Sequence, residues 1–186
     1  MLVEAEIWSI ARIGQDNAVL IKPVGSERAV PIYIDQIQTQ SILIGLGNVP
    51  IPRPLTHDLI INLLKNLSVQ IERVEITSVK DGTFYAQIVL KKGGGNVLVD
   101  SRPSDAIALA VRIKCPIFIS ETVVEEAATD ISEITGETVE DIGSLAGSGE
   151  PSEKASLEDK LQQAVDDENY ELAALIRDRL QELGES

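Results

Sequence analysis

The chain has 186 residues, 44% of them hydrophobic, and a formal net charge of −14 at pH 7. That is enough apolar material for one good core and a small appendage. The single cysteine, Cys115, excludes an internal disulfide or a cysteine-rich metal site, and polar residues interrupt every apolar run before the roughly 18 to 20 residues that a helical membrane span needs.

The acidity is uneven. Residues 1–120 carry 12 basic and 11 acidic side chains, whereas residues 121–186 carry 4 and 19. The average charge opposes phosphate, but the first part can still meet an anion through a local basic cluster. At the start, Glu4 and Glu6 lie inside the first apolar stretch, unlike the basic flank and apolar block of a signal peptide, so a soluble cytoplasmic protein without membrane contact is expected.

Alternation from Leu2 to Ala11 predicts a strand, and Asp16-Asn17 a turn. Strands at about Ala18–Ile21 and Ala29–Ile34 follow, then a helix from Asp35 to Gly45. Pro50, Pro52 and Pro54 hold the next stretch extended. Leu59, Ile60, Leu63, Leu64 and Leu67 recur at helical spacing, with Thr56 placed to cap that helix and Asp58 in its first turn. Residues 70–79 read as a strand, Asp81-Gly82 as a hairpin turn, and Thr83–Lys91 as a strand with Phe84, Ala86, Ile88 and Leu90 on one face. After Gly93-Gly94-Gly95, Val97–Val99 form another strand and Pro103–Ile113 an apolar helix. Sliding the sequence by 65 positions lays Asp16-Asn17 on Asp81-Gly82 and Ile34-Asp35 on Val99-Asp100, which suggests a repeated unit of three strands and a helix. A strand at Pro116–Ser120 and a helical turn at Val123–Ala127 close the first domain, residues 1–127. Residues 128–155 mix acids with glycines and lack an apolar period, which predicts a solvated tether. From 156 to 184 two short amphipathic helices are expected; being marginal alone, they must cover their apolar stripes.

Two sets of segments resemble known families. PRPLTHDL at 52–59, DGTFYAQIVL at 81–90 and DSRPSDAIALAV at 100–111 are similar to the bifunctional nuclease family. That resemblance implies an α+β fold, a duplicated β3α2-type unit with a mixed or antiparallel sheet, and cleavage of DNA and RNA. Family members commonly carry Glu-Ala where this chain has Gln38-Thr39, so a carboxylate is missing from any metal site that used it. LQQAVDDENYELAALIRDRLQEL, within residues 156–184, resembles the UVR motif, a helical hairpin that pairs with another hairpin. Tyr170 then anchors the turn and Leu172, Ala173, Ile176 and Leu180 form the seam, toward another UVR-bearing protein or a second copy of this chain. A homo-oligomer is expected.

The residues that can carry chemistry gather at two helix starts. His57 is the only histidine, which excludes a multi-histidine phosphohydrolase centre. Beside a helix N-terminus it favours the neutral imidazole and suits a general base as well as a structural role. Asp58 suits a catalytic carboxylate or a partner of the helix dipole. Asp100, Arg102, Ser104 and Asp105 stand where carboxylates can hold a divalent ion and arginine plus helix N–H groups can hold phosphate; capping by Ser101 or Ser104 explains the same residues structurally. The leading expectation is a metal-assisted phosphodiesterase on nucleic acid. Its catalytic set is His57, Asp58, Asp100 and Asp105, with Asp100 and Asp105 as Mg or Mn ligands and Arg53, Arg102 and Ser104 on phosphate. The alternative is a non-catalytic adaptor or ligand-binding module recruited through the hairpin.

Overall fold

The computed structural model describes residues 1–13, 15–136 and 139–141. All belong to the first of two units into which the chain divides, Met1–Ala146 and Gly147–Ser186. The expected hairpin at 156–184, with Tyr170, Leu172, Ala173, Ile176 and Leu180, lies outside the described residues.

Three strands, β1 (Leu2–Ile13), β2 (Asp16–Pro23) and β3 (Arg28–Ile34), form an antiparallel meander that leads into α1 (Gln36–Leu46) and α2 (Thr56–Asn66). A second meander, β4 (Gln70–Lys80), β5 (Thr83–Lys92) and β6 (Gly95–Ser101), leads into α3 (Pro103–Ile113), β7 (Ile117–Ser120) and α4 (Glu121–Ala127). β8 (Thr129–Asp130), α5 (Ile131–Gly136) and β9 (Val139–Asp141) follow. The sheet order is β6-β5-β4-β7-β1-β2-β3-β8, with β9 beside β1. β7 joins the meanders by pairing parallel with β4 and antiparallel with β1. The sheet is mixed and its helices do not alternate regularly with strands, so the fold is α+β. Among the described residues no helix is long and apolar enough to cross a membrane.

Strand alternation sorts side chains between two apolar layers. Val19, Ile21, Val30, Ile32, Val74 and Ile76 join Ile42, Ile107 and Leu109 in the main core. Each buried aliphatic side chain of this size contributes roughly 1.5–3 kcal/mol. α1 and α3 cross closely: a Cβ on Gly45 would fall 2.5 Å from Val111 Cγ2, so only glycine fits there. Ala11, Ala18, Leu20 and Ala29 form a smaller cluster with Ile134, against which Ile13 and Ile131 also pack. This corrects the expected tether at its beginning. Residues 129–136 form β8 and α5, because Ile131 and Ile134 find that layer, an anchoring that no local period announces.

The Asp81-Gly82 turn forms as expected, with φ of +49° and +75°, the left-handed pair that a two-residue hairpin needs. The first hairpin differs. Ile13 pairs with Asp16 and Arg12 with Asn17, so Asp16-Asn17 open β2 rather than form the turn. The buried Ala11–Ala18 pair sets that register, overriding the turn preference of Asp and Asn. β3 and β6, like α1 and α3, begin and end 67 positions apart, where the sequence alignment gave 65. Leu55, not Thr56, is the N-cap of α2, and its N–H donates to Asp58 Oδ2 at 2.9 Å. α2 rests on buried Ile61, while Leu59 and Leu63 are each 53% exposed, so the apolar stripe read from spacing largely faces away from the core.

Candidate functional site

The starts of α2 and α3 converge beside α1 and border a cleft of about 1180 Å³. Its lining includes Ser41, His57, Asp100, Arg102, Ser104 and Asp105. Each position has a local cause. Asp35 caps α1: its Oδ1 accepts from the Gln38 N–H at 2.8 Å, and Gln38 Oε1 accepts from the Asp35 N–H at 3.1 Å. Gln38 therefore does at the third helical position what a glutamate does in a capping box, and its amide faces the cleft. One turn further along α1, Ser41 reaches the cleft as well. α3 starts after Arg102, an N-cap with no side-chain cap bond, and Pro103 occupies its first turn. The capping role expected of Ser101 or Ser104 is not used: Ser101 Oγ donates to the Arg102 carbonyl at 3.0 Å, and Ser104 is buried against the cleft floor.

The polar side chains form one chain of contacts. Ser41 Oγ lies 3.0 Å from His57 Nδ1, and His57 Nε2 lies 3.3 Å from Asp105 Oδ1. Arg102 closes the chain, its Nε donating to Asp105 Oδ2 at 2.8 Å and its Nη2 to Oδ1 at 3.2 Å. Asp105, accepting at its Oδ1, takes the Nε2–H of His57; Nδ1 is then the acceptor facing the Ser41 hydroxyl. An imidazole held between a hydroxyl and a carboxylate is the arrangement that orients a proton-transfer group, although the ring nitrogens are exchanged relative to the usual serine-hydrolase triad. His57 is 15% exposed, Asp105 35% and Arg102 67%, so the relay runs from a sheltered imidazole to an open guanidinium. The hydrogen bond and charge of Asp105 raise the Arg102 pKa above its ordinary value; it stays cationic.

Asp100, on exposed β6, makes no side-chain hydrogen bond or ion pair among the described residues, so its carboxylate enters the cleft uncompensated. Two acids and one arginine leave the cleft with a surplus of negative charge, unfavourable for a phosphodiester until a cation joins them. No group of three His, Cys, Asp or Glu able to hold a metal occurs among the described residues. The donor set therefore does not fit a resident site with three or four protein ligands. It does fit a magnesium-type ion that draws on one or two carboxylates and completes its shell with substrate oxygens and water.

Asp58 and Arg53, expected in this cluster, stand elsewhere. Asp58 accepts from Arg112 Nε at 3.0 Å and, with Arg53, lines a second depression. Neither borders the cleft, because consecutive residues at a helix start point in directions about 100° apart: His57 and Ile60 face the cleft, Asp58 and Ile61 do not. Ser41 was missed by the sequence reading. A serine inside an apolar helix carries no motif, and only the packing of α1 beside α2 brings it to His57.

Comparison with known proteins identifies the family of the domain. Residues 19–132 match the bifunctional nuclease domain, and residues 152–186 match the UvrB/uvrC motif. An uncharacterized protein of Mycobacterium tuberculosis is 37% identical over 109 residues, 59% of this chain and 65% of its own length. Bifunctional nuclease 2 of Arabidopsis thaliana is 27% identical over 179 residues, covering 88% of this chain and 54% of the relative. Bifunctional nuclease 1 of the same plant is 28% identical over 170 residues, covering 84% and 52%. The chain thus spans between about half and two thirds of the length of these relatives. The domain match runs through the strands, helices and cleft described above and takes in more than half of the sequence, so the chain belongs to the bifunctional nuclease family and carries a UVR motif at its C-terminus.

Proposed function

We propose that the α+β domain hydrolyses phosphodiester bonds of nucleic acid in the cleft bordered by α1, α2 and α3. The observation that carries this reading is the chain Ser41–His57–Asp105–Arg102, which sets an oriented proton acceptor beside a cation. The Ser41 hydroxyl, hydrogen-bonded to His57 Nδ1, hands its proton to that nitrogen as it takes one from the attacking water; Asp105 holds the ring in the required tautomer and compensates the imidazolium, and Arg102 meets the charge that grows on the phosphoryl oxygens. Ser104, on the floor, offers a hydroxyl to the same phosphate. Asp100 and Asp105 are the donors for Mg or Mn, which when bound supplies charge neutralisation at the phosphate. The match to the UVR motif supports a recruiting role for the C-terminal segment, toward a UVR-bearing protein or a second copy of this chain, which makes a homo-oligomer the expected state.

The test is cleavage of labelled single- and double-stranded DNA and RNA by highly purified full-length protein with Mg²⁺ or Mn²⁺, beside an Asp100→Asn/Asp105→Asn variant. Loss of at least a hundredfold in rate with unchanged folding is expected. Equal rates in the two preparations would mark a contaminant and end the assignment. A second reading, a non-catalytic adaptor, is favoured by the exposed Leu59 and Leu63 of α2 and by Ile37 at 79% exposure on the cleft border; it expects no cleavage from either preparation.

A further inference from the structure

α2 separates two concave surfaces. His57 and Ile60 face the cleft just described, whereas Asp58, Ile61, Asn62 and Lys65 face a depression of about 430 Å³ closed by the end of α1, the 47–55 loop and the end of α3. That volume lies in the range of small-ligand sites. Three cations border it, Arg53, Lys65 and Arg112, against one acid, Asp58. Arg112 is the unusual one. Its side chain is 6% exposed; Nε donates to Asp58 at 3.0 Å and Nη1 to the Ala108 carbonyl at 2.7 Å. Nη2 is buried with no acceptor among the described residues, an unmade charged hydrogen bond of the kind that folded proteins rarely retain. Arg53 and Lys65 are exposed and have no ion pair among the described residues. In a domain whose basic and acidic residues nearly balance, this is a local cation excess with an open donor beneath it.

We propose that this depression binds a phosphate-bearing small molecule of mononucleotide size. Arg53 and Lys65 meet the phosphate at the mouth, and the field of Arg112, only partly compensated by Asp58, reinforces them from below. The lining explains the rest of the ligand. Ile44, Val49, Ile51 and Ile113 offer an aliphatic surface that bare phosphate leaves unused, and the amides of Asn48 and Asn62 can pair with the edge of a polar ring. The wall is also prepared in advance. Pro50, Pro52 and Pro54 restrict the 47–55 loop, so little conformational freedom is lost on binding. The site needs no group of the cleft, and it stands or falls independently of the nuclease reading.

The same phosphate chemistry is available from a free mononucleotide and from a nucleic-acid strand; the proposal commits to the former. The experiment is calorimetric titration of the full chain, without added metal, with the four nucleoside 5′-monophosphates, the corresponding nucleosides, inorganic phosphate and a short oligonucleotide. Each titration is run on wild type, on Arg53→Gln/Lys65→Gln and on the cleft variant Arg102→Gln. These side chains are exposed, so the fold should tolerate their loss. At least one monophosphate is expected to bind one per chain, at least tenfold tighter than its nucleoside or inorganic phosphate. That affinity should weaken tenfold or more in Arg53→Gln/Lys65→Gln and stay within twofold in Arg102→Gln. Sensitivity to Arg102 instead would place the ligand in the cleft, and binding of the oligonucleotide alone would make the surface a strand contact. Either result, or no monophosphate binding at millimolar concentration, overturns the proposal.

Discussion

His57 owes its orientation to two contacts on opposite sides of its ring, 3.0 Å to Ser41 and 3.3 Å to Asp105. Neither partner is near it in sequence, so sequence could nominate the imidazole but not its tautomer or its neighbours. Asp58 teaches the converse. Adjacent to His57, it is turned by one helical step toward Arg112 and the Leu55 N–H, and adjacency had suggested a shared site. Cys115 allows a residue-scale prediction with a definite sign. Burial pushes its thiol up from 9.0 to about 11, so the neutral thiol persists in the folded chain where the unfolded chain ionises. Any stability tied to this group is complete below pH 9 and is lost as pH rises through about 11. At pH 8.5 iodoacetamide should therefore label native protein far more slowly than urea-unfolded protein, by up to about a hundredfold for two pKa units of lost thiolate. Equal labelling rates would show that Cys115 is not sheltered.

At the scale of elements, the strongest local patterns produced the elements they announced. Thr83–Lys91 alternates cleanly and forms β5 (Thr83–Lys92); Pro103 and Asp105 open an apolar run that becomes α3. Errors arose where tertiary packing overruled a local signal. Asp16-Asn17 carry turn chemistry but lie in β2, because the small alanines facing each other across the hairpin fix its register. The α2 spacing gave the helix correctly and its buried side incorrectly, since a helix resting on Ile61 alone leaves its leucines outside. α5 was invisible: Ile131 and Ile134 are two apolar residues in an acidic stretch, and their layer is built from Ala11, Ala18, Leu20 and Ala29 far upstream. The structure thus moves the practical end of the domain beyond residue 127. A chain of residues 1–141 is expected to be more stable than one of residues 1–127 by about 2 kcal/mol, the value of one buried isoleucine. Urea unfolding checks it, and identical midpoints would mean that α5 contributes nothing to the domain.

For the molecule as a whole, the cleft exists because two meanders share one sheet through β7 and deliver α1 and α3 side by side, with α2 packed against α3. The residues that meet there come from positions 41, 57, 100 and 105, each contributed by a different element. Sequence resemblance gave the family and the acid-arginine cluster at 100–105. It could not show that Arg53 belongs to a separate depression, because that depends on how the proline-rich loop leaves α1. The proposed proton transfer by His57 during phosphodiester cleavage is open to chemical rescue. In single-turnover assays on a labelled oligonucleotide, His57→Ala is expected to lose about 10²–10⁴-fold in rate, the usual range for a general base. Added imidazole should then restore part of that loss in a pH-dependent manner while leaving the wild-type rate unchanged. A folded His57→Ala protein that cleaves at the wild-type rate would exclude His57 from the reaction.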